Sequence, residues 1–317
     1  MLIGRCAAAF AALIWIAGCA PEAGPATAAQ DGSVLGRVTF PPLVASSPIP
    51  REGNLAPTPA PPASTPGTLR IPPGAGRVPA VVILHASGGV DGRETPYAQA
   101  LAEAGIASLI VDMWTPRGVD VRSGGTSARP ANSYFTIPDA YGALRFLAAH
   151  PRIDPDHIGV LGMSWGANMA TRMAREPVQR AYLGPDQGFR AFSSLYAVCP
   201  SWIDGGSGVG TLDTGWPVGR FLMLQAGQDD YNSGRGVGDC EAMLARVPQP
   251  ARSRVIFHAY PDAFHGWDRV ATGLVSYQDA ASHGFRGGVV RTARNETVAA
   301  DGVGRVVAFF RETLAPR

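Results

Sequence analysis

The run Ile158-Gly159-Val160-Leu161-Gly162-Met163-Ser164-Trp165-Gly166-Ala167-Asn168 constrains this chain more than any other stretch. An apolar segment ends in Gly-x-Ser-x-Gly, and small, helix-compatible residues follow. That is the pattern of a strand, a sharp turn and a helix whose turn must hold one serine hydroxyl in the open. Glycines at 162 and 166 let strand and helix approach closely, while Ser164 between them takes a strained backbone. The motif alone decides little. A chain with 39 glycines yields roughly 0.3 such matches by chance, so the surroundings have to agree before it counts.

At 317 residues the chain has room for one large α/β domain with extensions. Its 46% hydrophobic and 16% charged residues are those of a globular protein with a real core, and a net charge of +2 gives no case for a nucleic-acid partner. Every basic residue is arginine; there is no lysine. That excludes Ser-Lys dyads, Schiff-base lysines and a P-loop lysine, although codon composition explains the bias better than function does.

The N-terminus reads as an address. Arg5 supplies a positive n-region, and Cys6 to Ile16 is an apolar stretch too short for a membrane span. Ile16-Ala17-Gly18-Cys19 resembles the lipobox of bacterial lipoproteins. The resemblance implies a signal peptide over 1–18 and a diacylglyceryl anchor on Cys19, with the protein facing the periplasm or exterior. The alternative is an ordinary cleaved signal and a soluble periplasmic protein. Export leaves Cys199 and Cys240 in the folded part, and in an oxidising compartment they read as a disulfide, with a reduced buried pair as the alternative.

Residues 19–32 read as a tether and 33–317 as a single domain, with 41–67 a Pro-rich surface excursion. Strands are expected at 34–40, 68–71, 80–84, 106–111, 158–163, 192–198, 221–225 and 254–260. Helices are expected at 93–104, 138–149, 167–175, 240–246 and 295–313. Continuous apolar strands alternating with helices predict an α/β fold, a mostly parallel central sheet with helices on both faces.

A serine hydroxyl is a poor nucleophile at neutral pH and needs a base within hydrogen-bond reach, itself oriented by a third group. In the α/β-hydrolase order, Ser precedes the acid and the acid precedes His. Of six histidines, His150 and His157 lie at the wrong edge of the sheet. His258 sits in an apolar strand and reads as core, His85 lies in the loop after the first central strand, and His283 falls in a glycine-rich loop. His265 lies just past the strand ending at Tyr260, where the base belongs. The acid is Asp229 or Asp230, after the strand Phe221–Gln225; spacing does not separate them. An oxyanion hole needs two preorganised N–H groups. Trp165, after the serine, offers one; Ser87, with Ala86 as alternative, offers the other.

Leu84-His85-Ala86-Ser87-Gly88-Gly89, Asp112 with Arg117-Gly118-Val119, Gly162–Gly166, Gly227-Gln228-Asp229-Asp230 with Cys240, and Tyr260–His265 together resemble the dienelactone hydrolase family. The resemblance covers about residues 68–317. It implies an α/β-hydrolase fold, favours Asp229 as the acid because the family's acid follows Gly-Gln directly, and points to Ser87 as the second oxyanion donor. It also implies substrate-carboxylate binding by Arg117 and Arg269, though Arg117 reads equally well as a structural loop residue. Two departures agree with each other. The founding enzyme uses a cysteine nucleophile helped by a loop glutamate; here Ser164 and Ala86 stand at those positions.

The expectation is therefore a serine hydrolase of a small carboxylic ester or lactone, working through an acyl-enzyme without metal or organic cofactor. The alternatives are a peptidase or acyltransferase with the same residues, or a non-catalytic surface lipoprotein that keeps the fold.

Overall fold

Val78–Leu84 has no polar side chain to offer water, and it lies inside the sheet with its last five residues fully buried. The computed structural model describes residues 27–28, 32–47, 60–120, 133–184, 188–202, 216–234 and 236–315. The expected signal peptide, Cys19 and most of the tether lie outside the described residues, as does 48–59 of the Pro-rich excursion.

In chain order the elements are β1 (Thr27–Ala28), β2 (Val34–Phe40), β3 (Thr65–Ile71), β4 (Val78–Leu84), α1 (Glu94–Glu103), β5 (Ala107–Val111), α2 (Ile137–Ala148), β6 (Ile153–Met163), α3 (Trp165–Met173) and α4 (Glu176–Leu183). There follow β7 (Ala191–Leu195), β8 (Arg220–Gln228), α5 (Gly238–Ala245), β9 (Val255–Phe264), β10 (Leu274–Asp279), the single turn α6 (Ser282–Phe285), β11 (Gly288–Ala293) and α7 (Glu296–Thr313). Nine strands form one sheet in the order β1-β2-β3-β5-β4-β6-β7-β8-β9. From β5 to β9 every pairing is parallel, and β2 and β3 add an antiparallel edge. One face is covered by α1 and α7 through Tyr97, Leu101, Val306 and Phe310; the other by α2, α3, α4 and α5 through residues such as Ile137, Met169, Val178 and Met243. This is the expected α/β-hydrolase architecture.

The departures from expectation have local causes. β3 begins at Thr65 rather than 68, because Pro66 and Gly67 read as breakers yet pair with Thr39 and Val38. A Cβ on Gly67 would come within 2.8 Å of the Ile110 carbonyl, so glycine there lets β3 close on β5. β9 runs four residues past Tyr260, through Pro261, which an edge strand tolerates. Gly227 admits it: a Cβ there would sit 2.3 Å from the Pro261 carbonyl. The short helix α4 and the β10–β11 hairpin, paired from Leu274↔Ala293 to Asp279↔Gly288, were not expected. His258, read as core, lies half-buried on the edge strand, its ring beside Tyr260. His283, read as having no strand before it, follows β10.

Candidate active site

Ser164 stands between β6 and α3 at φ 49°, ψ −101°, outside the regions that L residues favour. The two glycines make that turn sterically possible. A Cβ on Gly162 would lie 2.0 Å from the Gly166 carbonyl oxygen, and one on Gly166 would lie 2.3 Å from that of Leu84. Neither contact can be relieved by rotating a side chain. The Ser164 N–H donates to the Leu195 carbonyl (3.0 Å) and its carbonyl accepts from Asn168 (3.0 Å), so the turn is tied to β7 and to α3.

β9 delivers His265 directly after its last residue, and β8 delivers Asp229 in the same way. His265 Nε2 lies 2.8 Å from Ser164 Oγ, and its Nδ1 lies 2.8 Å from Asp229 Oδ2. All three residues are buried. The Asp229 carboxylate also accepts from the Tyr231 amide (3.0 Å) and from Gln225 Nε2 (3.2 Å). Asp230 is engaged elsewhere. Arg291 grips it through Nη2 at 2.7 Å and Nε at 2.9 Å, and the Arg291 backbone N–H adds a third bond at 2.9 Å. Burial works against ionisation of Asp230, but the bonds from Arg291 outweigh it and hold the carboxyl below its usual range. Geometry thus separates two aspartates that spacing left equivalent.

The loop after β4 is fixed by its own carbonyls. His85 O accepts from Gly166 (3.2 Å), Ala86 O from Gly89 (3.0 Å), and Ser87 O from Trp114 Nε1 (3.1 Å). The His85 ring is wholly buried, with Nδ1 2.7 Å from Ala86 O and Nε2 accepting from the Met113 amide at 3.1 Å. Burial lowers its pKa to about 4, so at neutral pH the imidazole is uncharged and Nδ1 carries the proton. The amides of Ala86, Ser87 and Trp165 donate to no acceptor of the chain among the described residues. Trp165 opens α3, so it has no preceding helical carbonyl to meet. The Trp165 amide directly follows Ser164, and a free amide there can receive developing negative charge.

Residues 66–183 match the model of the dienelactone hydrolase family. Over this segment, 118 of 317 residues, the chain is similar to that family. A Bradyrhizobium protein named "Probable 2-oxo-3-(5-oxofuran-2-ylidene)propanoate lactonase" is 29% identical over 113 residues, 34% of this chain and 46% of the relative. The chain thus spans about half the length of the curated relative it matches. Solved structures share the fold. A dienelactone hydrolase-like promiscuous phosphotriesterase from metagenomic libraries superposes with TM-score 0.56 at 15% identity, over 88% of this chain and 99% of that one. A dienelactone hydrolase from Anabaena variabilis gives 0.50 at 18%, over 86% and 97%.

The structure separates the two arginines that the dienelactone hydrolase resemblance paired. Arg117 is not free for a substrate. Its guanidinium donates to Met113 O (2.8 Å), Phe135 O (3.1 Å) and Asp139 Oδ2 (2.7 Å), and Asp139, which also accepts from the Thr65 hydroxyl, is buried. Arg117 is therefore corrected from substrate ligand to loop anchor. Arg269 is half-buried beside His265, bonded through Nη1 to Thr292 Oγ1 at 2.8 Å, and no carboxylate pairs with it among the described residues. Thr292 bridges to His265, which places the β10–β11 hairpin against the site. Cys199, in the turn after β7, and Cys240 in α5 form a disulfide closing a separation of 41 residues. By chain entropy such a loop stabilises the fold by about 4 kcal/mol.

Sequence reasoning missed the rings around the base. Tyr196 and Tyr231 both contact the His265 imidazole, with centroids 4.8 and 4.5 Å away. Nothing local signals them, because their contacts to His265 cross 69 and 34 residues of chain. Tyr196 does carry a structural mark, a positive φ of 45°.

Proposed function

We propose that this chain is a serine hydrolase of small carboxylic esters or lactones. The reading rests on one observation: Ser164 Oγ, His265 and Asp229 Oδ2 form an unbroken hydrogen-bonded line with 2.8 Å at each link. Ser164 Oγ attacks the carbonyl carbon while His265 Nε2 takes its proton. Asp229 Oδ2 accepts from Nδ1, which keeps the other imidazole proton there and stabilises the imidazolium. The amides of Trp165 and Ser87 receive the oxyanion. His265 then protonates the leaving alkoxide, an acyl-serine remains, and water activated by His265 releases the acid. In a lactone the leaving alkoxide stays tethered, so one product carries both acid and alcohol. Arg269, with no carboxylate partner among the described residues, is the cation we assign to a substrate carboxylate, for which a guanidinium fork is suited.

Purified protein is expected to hydrolyse p-nitrophenyl acetate and a simple aryl lactone and to leave peptide anilides intact. Turnover of anilides alone would replace this reading with a peptidase. We propose further that the protein is exported and anchored through Cys19. Incorporation of an alkyne-tagged fatty acid, lost in Cys19→Ser, tests the anchor; an unlabelled protein released with the soluble periplasmic fraction would overturn it.

A further inference from the structure

Asp268 lies three residues beyond His265 and is buried with two phenols donating to it. Tyr196 O–H bonds Oδ1 at 2.8 Å and Tyr97 O–H bonds Oδ2 at 3.0 Å. Arg93 Nη1 stands 3.9 Å from the same Oδ1 and 3.5 Å from the Tyr196 oxygen, while its Nη2 and Nε hold Asp91 at 2.6 and 2.8 Å. Burial pushes the Asp268 carboxyl above its usual pKa, with Arg93 and the two phenols pulling it back.

The two phenols are chemically alike and both fully buried, but their rings differ in what they touch. Tyr97 belongs to α1 and packs in the core beneath α7. Tyr196 meets His265 at 4.8 Å and Trp267 at 4.7 Å, edge-on in both cases. Its backbone is held at φ 45°, a left-handed conformation that bulky L residues rarely adopt. It also follows Leu195, whose carbonyl accepts the Ser164 N–H. A second phenol, Tyr231, contacts the same imidazole and is likewise anchored at its hydroxyl by a carboxylate, Asp279 at 2.8 Å.

Hydrogen bonds at Nδ1 and Nε2 fix an axis through the imidazole but leave rotation about that axis open. Ring contacts close it. We propose that Asp268 is a positioning residue: by holding the Tyr196 hydroxyl it sets that ring against His265, and so fixes the plane in which the imidazole lies between Ser164 and Asp229. Arg93, 3.9 Å from Oδ1, offsets part of the cost of burying this carboxyl. The proposal rests on the serine-hydrolase reading for its effect on rate, while its effect on the imidazole does not depend on that reading.

Tyr97→Phe and Tyr196→Phe each remove one phenol donor from the same carboxylate, so they separate positioning from general support. With p-nitrophenyl acetate as substrate, Asp268→Asn and Tyr196→Phe are each expected to lower kcat about 10- to 100-fold, as a small misalignment of a catalytic group does. KM should stay within about two-fold, and the double variant should be no worse than the poorer single one. Tyr97→Phe should stay within about two-fold of wild type in kcat. In parallel, the ring proton of His265 is followed by NMR against pH and assigned by its loss in His265→Gln. Its midpoint is expected to move in Asp268→Asn and Tyr196→Phe and to hold in Tyr97→Phe. Equal effects in all three variants, or a wild-type kcat and midpoint in Tyr196→Phe, would overturn the positioning role. If Asp268→Asn does not fold, Tyr196→Phe carries the same test. A wild-type protein without esterase activity would remove the serine-hydrolase reading, and the His265 titration would still decide for or against the clamp.

Discussion

The two sides of Ser164 are built differently. On the side of β4, β5 and β6 the site consists of main-chain groups: the turn at Gly162–Gly166, the carbonyl-pinned loop His85–Gly89, and the Trp165 amide directly after the serine. Its charged side chain, Arg117, is spent on Asp139 and two carbonyls. On the side of β8, β9 and the β10–β11 hairpin the site consists of side chains: Asp229, His265, Tyr196, Tyr231 and Asp268, each with at least one partner 34 or more residues away in the chain. Here Arg269 has no carboxylate partner among the described residues. The first side is determined by sterics and tolerates almost no change in shape. The second is determined by hydrogen bonds and ring contacts, so single substitutions there should alter rate while leaving the fold.

The largest effect should come from the main-chain side. Gly162→Ala puts a Cβ against a backbone oxygen that cannot move without dismantling the turn, so little soluble folded protein is expected, judged by near-UV circular dichroism. A well-folded Gly162→Ala with normal activity would break the contrast. Next, Asp229→Asn should keep the fold and lower kcat by about 10³- to 10⁴-fold, as loss of the residue that sets a histidine tautomer does. Asp230→Asn should change kcat by no more than about three-fold, since it gives up only an exposed Arg291 pair. The arginines should split by kind of effect. Arg117→Met leaves the Asp139 carboxylate buried without its cation and should cost about 2–4 kcal/mol in urea denaturation. Arg269→Met should leave stability nearly unchanged and raise KM for a carboxylate-bearing ester but not for a neutral one.

A further effect depends on pH. Glu94, in the first turn of α1, is buried, with Oε2 accepting from Gly92 at 3.2 Å and Oε1 unbonded among the described residues. Burial raises its pKa from 4.5 to about 7. The folded state therefore favours the neutral acid more than the unfolded state does. The associated stability is complete below pH 4.5 and is lost as pH rises through about 7. Glu94→Gln should accordingly gain roughly 1–3 kcal/mol over wild type at pH 8 and little at pH 4. Equal gains at both pH values would mean that the carboxyl is not the cause.

The same contrast explains what could be read from the chain. The elbow, the alternation of strands and helices, and Ser164 and His265 as candidates were legible because they follow from local apolar runs, glycines and element ends. The choice between Asp229 and Asp230 was not legible from spacing, because the residue that claims Asp230, Arg291, stands 61 positions away. Whether Arg117 binds substrate or anchors its loop was open for the same reason: Asp139, which occupies it, lies on α2, 22 positions on. Pro66 and Pro261 hid the ends of β3 and β9: Pro261 lies on an edge strand and Pro66 lies ahead of the β3–β5 pairing, which starts at Gly67, and neither place shows in the sequence. The hairpin at 274–293 was concealed by a sequence with exposed apolar residues and no regular alternation; five of the six β10 residues are exposed.

That Ser164 is the nucleophile is tested most directly by incubating the folded protein with a fluorophosphonate and measuring intact mass, then locating the adduct by peptide mapping. One adduct per chain on Ser164, abolished in Ser164→Ala and slowed in Asp229→Asn but not in Asp230→Asn, is the expected result. A correctly folded protein that takes no adduct, or takes it on another residue, would contradict the assignment.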